Sequence, residues 1–165
     1  MTDDEMRKAI QEPLFDSSIV RHGFAPFLRD YDVVAKIKKH QFLYRFSHCT
    51  SATVTTAVAD WIWQESWSDI FTDYSAWQRA GAPEGYVWGV CFSLAYPGAT
   101  YVDNSAPAQE WANRLGKPMH EVRIETNAHN LCLIFHDLSV RELREGDEEW
   151  VIERMGAKPS GQVLK

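Results

Sequence analysis

The sequence predicts a single α+β domain in which an antiparallel sheet of hairpins carries helices packed on one face. Two patterns lead to this prediction. Apolar and polar residues alternate over much of the first third of the chain and again towards its end, as in strands with one wet face. Stretches between these strands have the spacing of amphipathic helices. The length of 165 residues suits one domain, and no long linker or change of composition divides it.

The first third of the chain is predicted to change from helix to sheet. A short amphipathic helix is expected over residues 1–13, capped by Thr2 or Asp3 and stopped by Pro13. Alternation follows, and the polar residues 38–41 are expected to join two strands in a tight hairpin. The strands predicted here lie near 17–24, at 31–37, at 42–46 and at 53–58, the last as an extension of the same sheet.

The middle of the chain is predicted to be largely helical. Apolar residues between positions 60 and 74 follow helical spacing. A further short helix is expected to run through Ala80 and to stop at Gly81. Residues 85–94 then have the composition of a buried strand.

The last third is predicted to contain one helix and one clear hairpin. The helix begins at Ser105 as its N-cap and ends at Gly116. The hairpin that follows is expected to turn at residues 128–129, which would place Glu121 opposite His136.

The chain is therefore expected to divide into three parts. A further strand near 139–143 completes the predicted sheet. The parts are an N-terminal helix at 1–13, a single α+β domain at 14–155 and a flexible tail at 156–165, where periodicity is lost.

The composition of the chain argues against several classes of function. The net charge of −6 argues against phosphate-driven binding of nucleic acid, which needs a basic surface. No apolar run is long enough to cross a membrane, and the acidic start lacks the features of a secretion signal, so a cytoplasmic protein is expected. Cys49, Cys91 and Cys132 have no metal-type spacing and are expected to be buried, reduced thiols.

Three stretches resemble one family when they are taken together. They are HGFAPFLRDYDVV at 22–34, WSDIFTDYSAWQRAGAPEGYVWGV at 67–90 and GKPMHEVRIETNAHNLCLIFHDLSV at 116–140. The chain resembles the YxiG-like proteins, small bacterial domains without a settled activity, from Asp16 to about Leu143. This resemblance implies a bacterial origin and a single domain, and it supplies no catalytic residue.

The familiar catalytic signatures are absent from the sequence. It contains no GxxxxGK[ST], GxGxxG, HExxH or GxSxG motif and no EF-hand loop. No cofactor is therefore expected, and an enzymatic role has no motif to support it. The absence of these motifs says nothing about catalytic sites of other kinds.

A group of histidines forms the first candidate site. His22, Asp30, His48 and His136 lie at or near predicted strand ends and could act together in catalysis. The three histidines are also the candidates for a metal site, because neutral imidazole binds divalent metals. The alternative is that each histidine is separately hydrogen bonded near a turn, since no pair has a ligand spacing.

Cys49 beside His48 resembles a nucleophile with its base. Adjacent residues on a strand point to opposite faces, however, so His48 is not expected to activate Cys49. A buried structural cysteine is the preferred interpretation.

A charged row lies on the predicted hairpin. Glu121, Arg123 and Glu125 alternate with apolar residues and could act as an acid and base row with His120 or His136. The preferred interpretation is the solvated face of a strand, on which ion pairs contribute little.

The tryptophans of the middle segment form the second candidate site. Five of them fall within residues 61–88, interleaved with acidic residues. They could fill a core, bind a sugar ring, or remain exposed as a patch for a partner. The residues assigned to that patch are Trp61, Trp67, Asp69, Asp73, Trp77 and Trp88.

The preferred hypothesis is a non-enzymatic interaction domain. Its expected partner is a basic protein, such as a toxin or nuclease that it neutralises, or a second copy of the chain, because acidic surfaces attract basic ones. Neither nucleic acid nor a membrane is expected as a partner. The alternative is a small enzyme or metal-binding protein that uses the histidine and aspartate cluster.

Overall fold

The computed structural model describes residues 1–25, 29–56, 74–82, 93–95, 98–126, 129–144 and 147. These residues form helices and antiparallel strands, which confirms the α+β fold class. In chain order the elements are α1 (Asp3–Leu14), β1 (Ser18–Phe24), β2 (Tyr31–Ile37), β3 (His40–Ser47), β4 (Ser51–Thr56), α2 (Tyr74–Arg79), β5 (Ser93–Leu94), β6 (Gly98–Val102), α3 (Ala106–Leu115), β7 (His120–Glu125), β8 (His129–Phe135) and β9 (Asp137–Leu143).

The described strands form two sheets. The first sheet has the order β5-β1-β2-β3-β9, and the second has the order β4-β8-β7-β6. β3 continues into β4 and β8 continues into β9, so one ribbon of paired strands passes from one sheet into the other. β4 therefore belongs to the second sheet, although the sequence placed it as an extension of the first.

The ribbon bends at a corner formed by residues 48–50 and 135–136. Ser47 pairs with Asp137 in the first sheet, and Ser51 pairs with Ile134 in the second. Three residues on one strand thus oppose two on the other, which is the geometry of a β-bulge and increases the local twist. His48 has a φ of 49°, the left-handed conformation that such a bend requires.

Helix α1 supplies one side of the core. Thr2 caps it, because its hydroxyl accepts from the Glu5 N–H at 3.3 Å while the Glu5 carboxylate accepts from the Thr2 N–H at 2.8 Å. Pro13 lies in its last turn, and the helix ends one residue later than predicted. Met6, Ile10 and Leu14 are completely buried against the inner faces of both sheets.

The end of α1 approaches β6 closely. A Cβ atom on Gly98 would lie 3.2 Å from the Cα atom of Phe15, and Gly98 has a φ of 117°. Glycine is needed here for both reasons.

Helix α3 packs on the outer face of the second sheet, opposite to α1. Ser105 caps it by accepting from the Ala108 N–H at 3.1 Å, and Gly116 ends it in the left-handed conformation with a φ of 65°. Both boundaries confirm the sequence prediction. Ala108 is buried against Ile134 of β8 and Met119, whereas Leu115 in the last turn of α3 is exposed.

The β7–β8 hairpin is confirmed, but its predicted register is wrong. Glu121 lies opposite Ile134, not His136. The hairpin closes between Thr126 and His129, because the Thr126 hydroxyl accepts from the His129 N–H at 2.8 Å and the Thr126 N–H donates to the His129 carbonyl at 3.2 Å. The turn lies one residue earlier than predicted. Each residue of β7 therefore pairs with a residue of β8 that lies two positions earlier than predicted, and each side chain stays on its predicted face.

Several predicted elements lie outside the described residues. They are the helix between 60 and 74, most of the strand at 85–94 and the tail at 156–165. The short helix expected before Gly81 is confirmed as α2. Within the described part of the chain, no helix is long and apolar enough to cross a membrane.

Candidate functional site

The corner brings together three of the four residues predicted as a histidine and aspartate cluster. The rings of His48 and His136 stack with their centroids 5.6 Å apart, and Asp30 accepts from the His48 backbone N–H at 2.9 Å. His22 has a different contact, since its Nδ1 lies 2.7 Å from the hydroxyl of Tyr31. Burial lowers the pKa of His22, which keeps its ring neutral.

The metal hypothesis for His22, His48 and His136 finds no site in the described residues. No group of three or more histidine, cysteine, aspartate or glutamate side chains there is placed to hold a metal ion. The stacked pair at the corner provides two imidazoles, and the ammonium of Lys117 lies 2.9 Å from His48 Nδ1.

Cys49 is a buried thiol with a structural contact. Its Sγ donates to the Ser51 carbonyl at 3.3 Å, and burial raises its pKa to about 11. A thiol that stays protonated at neutral pH is a poor nucleophile. Cys49 and Cys132 are both free, as expected from the cysteine count, and Cys91 lies outside the described residues.

Glu121 corrects the prediction of a solvated charged row. Arg123 and Glu125 are exposed, but Glu121 on the same strand is only 1% exposed because α3 covers it. Its carboxylate accepts from the hydroxyl of Ser105, from Nε of Arg123 at 2.8 Å and from Sγ of Cys132 at 3.5 Å. Burial acts to raise the pKa of Glu121, but these hydrogen bonds outweigh it and hold the pKa below its usual value.

Beside this buried carboxylate lies a groove on the outer face of the second sheet, here called the outer groove. Its cavity volume is about 740 Å³. Its floor is polar, because the register aligns side chains of four strands in rows across the sheet. The side chains that carry the argument below are Thr53, Thr55, Thr100, Arg123, Glu125 and Asn130.

The charges of the outer groove are unevenly compensated. Glu121 pairs with Arg123, whose side chain is 60% exposed, and Arg7 on α1 makes a two-pronged pair with Asp103 at 2.5 and 2.7 Å. Among the described residues that line the groove, Glu125 is the carboxylate without an oppositely charged partner. The groove therefore carries a net negative charge.

The outer groove reaches β4, a strand at the edge of the second sheet as far as the structure describes it. β4 is an outer strand of the second sheet, and none of the described strands pairs with its far side. The strand has the sequence SATVTT, without charge, and Val54 is 45% exposed. Uncharged, β-branched edge strands of this kind can accept another strand.

The family follows from a comparison of the whole chain with family models. A model described as YxiG-like protein matches residues 2–153. The chain belongs to the YxiG-like family. This confirms the family indicated by the three sequence stretches, and no curated protein matches the chain.

The predicted tryptophan patch of this YxiG-like protein lies largely outside the described residues. This applies to Trp61, Trp67, Asp69, Asp73 and Trp88. Trp77 lies on α2, and only its backbone is described. The patch therefore stays a prediction.

Sequence reasoning missed two features of the site. The burial of Glu121 had no local signal, because the covering helix α3 lies between β6 and β7 and its packing is a tertiary contact. The open edge of β4 had one signal, namely a run of uncharged β-branched residues after a corner.

Proposed function

We propose that this YxiG-like protein is a non-enzymatic interaction domain that binds a basic, extended segment of a partner protein. The segment lies along the edge of β4, and its basic side chains reach over the outer groove. The observation that carries this proposal is an uncharged strand at the edge of the described second sheet, beside a groove whose described lining includes the carboxylate of Glu125.

Strand addition would supply the affinity. A segment that pairs with β4 gains backbone hydrogen bonds along this strand, while pockets for alternate side chains give selectivity. Thr53 and Thr55 lie on the face of β4 that lines the groove, so every second side chain of an added strand would lie on the groove side.

Charge would add to the selectivity for a basic segment. Glu125 lies on β7, three strand spacings of about 4.8 Å from a strand added to β4, so Glu125 and the net charge of −6 would attract a basic segment at long range. Long-range attraction of this kind raises the association rate and weakens in salt. An acidic segment would meet repulsion from the same carboxylate.

The one thiol considered as a nucleophile is unsuited to that role. The thiol of Cys49 stays protonated because its pKa is raised to about 11.

The test uses a short peptide that alternates lysine and threonine, and a twin with glutamate in place of lysine. We expect the basic peptide to bind the full chain, with an affinity that falls by about tenfold between low and physiological salt. Glu125→Lys should weaken binding by about threefold at low salt, because it changes the charge by two units at roughly 14 Å from the bound segment. Glu142→Lys, which changes an exposed carboxylate on β9, is the matched control and should keep most of the affinity.

Two results would contradict the proposal. One is equal binding of the basic and acidic peptides, and the other is equal loss in Glu125→Lys and Glu142→Lys. A second copy of the chain is the competing occupant of the same edge. Sedimentation that finds a dimer to which the basic peptide does not bind would assign the edge to self-association instead.

A further inference from the structure

The inner face of the second sheet, which α1 covers, carries an apolar row that reaches β4. The strand register aligns Ala99 of β6, Ile124 of β7, Leu131 of β8 and Val54 of β4 across the sheet. Residues that pair directly on neighbouring strands point to the same face of a sheet. These four residues, here called the inner row, therefore share the face that lies towards the core.

Burial along the inner row is lost at its β4 end. Ile124 is completely buried and Leu131 is 2% exposed, whereas Val54 is 45% exposed. Helix α1 packs against β6, which is the opposite edge of this sheet. Val54 is therefore the edge member of a core row, and its apolar surface remains in contact with water.

The position of Val54 distinguishes it from a scattered apolar residue on a protein surface, which needs no explanation. Ala52, the preceding residue on the same face of β4, is partly buried and packs against the core cluster. A strand added beside β4 would place a side chain directly opposite Val54, with about 4.5–5.5 Å between the two Cβ atoms. That side chain would extend the inner row by one strand.

The opposite face of β4 is polar. Thr53 and Thr55 flank Val54 in the sequence and line the outer groove. The row that contains Thr55 continues through Asn130 to Glu125. A strand added to β4 would thus meet an apolar residue on one face and polar residues on the other.

We propose that the segment bound at β4 is amphipathic, with β-branched apolar side chains on the inner face and basic or polar side chains on the side of the outer groove. This inference rests on the proposed function and defines the sequence pattern of the partner. Successive side chains of a strand point to opposite faces, so a segment that alternates basic and apolar residues satisfies both faces of β4. β-branched side chains suit the inner face, because they pack well against cross-strand neighbours.

The two faces of β4 also select the register of the segment. A shift by one residue would move every apolar side chain to the outer groove and every basic side chain to the inner face. An ammonium group placed against Val54 would lose part of its hydration, which costs free energy. A segment without strict alternation would carry this cost in every register.

The test compares the binding of three short, dye-labelled peptides of equal length to the full chain by fluorescence anisotropy. The first alternates lysine and threonine, the second alternates lysine and valine, and the third has the composition of the second with like residues placed in pairs. The alternating lysine–valine peptide should bind about threefold more tightly than the lysine–threonine peptide, the effect expected from one favourable cross-strand pair. It should also bind at least about threefold more tightly than the third peptide.

A variant of Val54 assigns the gain to the inner row. Val54→Thr keeps the β-branched shape of the side chain and its preference for strands, and the site is partly exposed, so this variant should fold. It should bind the two alternating peptides with nearly equal affinity, because the pair that distinguishes them is lost. Leu115→Thr changes a side chain of similar exposure, 44%, on α3 and should keep the threefold preference for valine.

Three results would overturn this inference and leave the proposed function standing, provided that the lysine–threonine peptide binds. They are equal affinity for the two alternating peptides, equal affinity for the second and third peptides, and a preference for valine that persists in Val54→Thr. Failure of all three peptides to bind would instead overturn the proposed function and this inference with it.

Discussion

The hydroxyl of Ser105 has two structural roles, and replacing it should cost more than the loss of an ordinary helix cap. It accepts from the Ala108 N–H at 3.1 Å at the start of α3, and it donates to the buried carboxylate of Glu121. Loss of a cap costs about 1 kcal/mol, and loss of a hydrogen bond to a charged group costs about 2 kcal/mol. Ser105→Ala should therefore lower the free energy of unfolding by about 3 kcal/mol.

The chain contains a matched control for this prediction. Thr2 caps α1 through the Glu5 N–H, and its hydroxyl also contacts the Glu5 carboxylate, which is exposed and can exchange that contact for water. Thr2→Ala should lower the free energy of unfolding by about 1 kcal/mol, the value for the cap alone. The difference between the two variants isolates the contact with Glu121.

Urea unfolding followed by tryptophan fluorescence measures both changes. In a Glu121→Gln background the extra loss from Ser105→Ala should shrink, because a neutral amide is a weaker acceptor than a carboxylate. The reasoning would be refuted if Ser105→Ala cost no more than Thr2→Ala. It would also be refuted if the extra loss stayed the same in the Glu121→Gln background.

Three further predictions follow from buried groups. The lowered pKa values of His22 and His48 keep their rings neutral in the folded chain, so the unfolded chain binds more protons below about pH 6.5. The free energy of unfolding, measured with urea, should therefore fall as the pH drops from about 7.5 to 5.5. A free energy of unfolding that does not change with pH would contradict this. Arg45→Met removes both hydrogen bonds, at 2.8 and 2.9 Å, to the completely buried carboxylate of Asp32. This change should lower the free energy of unfolding by about 3 kcal/mol, and a loss below about 1 kcal/mol would show that Asp32 is solvated. Cys49, with a pKa near 11, should react with a disulfide reagent at least about tenfold more slowly in the folded chain than in urea, and equal rates would place its thiol at the surface.

Local features of the fold could be predicted because their causes lie within a few residues. The caps at Thr2 and Ser105 and the stop at Gly116 each depend on one side chain and the next turn of helix. The face on which each strand residue lies could be predicted equally well, since alternation is a property of neighbouring residues. The register of the β7–β8 hairpin could not be predicted, because the Thr126 side chain determines which residues close the turn.

The candidate sites depend on contacts between distant residues, which a single sequence leaves open. Asp30, His48 and His136 were grouped by residue type, and they meet because one bulge bends both strands of the ribbon at the same corner. Glu121 occupied a polar position in an alternating strand, and its burial depends on where α3 packs. Division of the strands into two sheets has the same tertiary origin.

Amide hydrogen exchange with the basic peptide bound tests the proposed function most directly. Pairing of a partner strand with β4 should slow exchange in Ser51–Thr56 and leave β2, inside the first sheet, unchanged. Slower exchange confined to residues 61–88 would assign binding to the predicted tryptophan patch and contradict the role of the β4 edge. An unchanged β4 with the peptide bound elsewhere would contradict it equally.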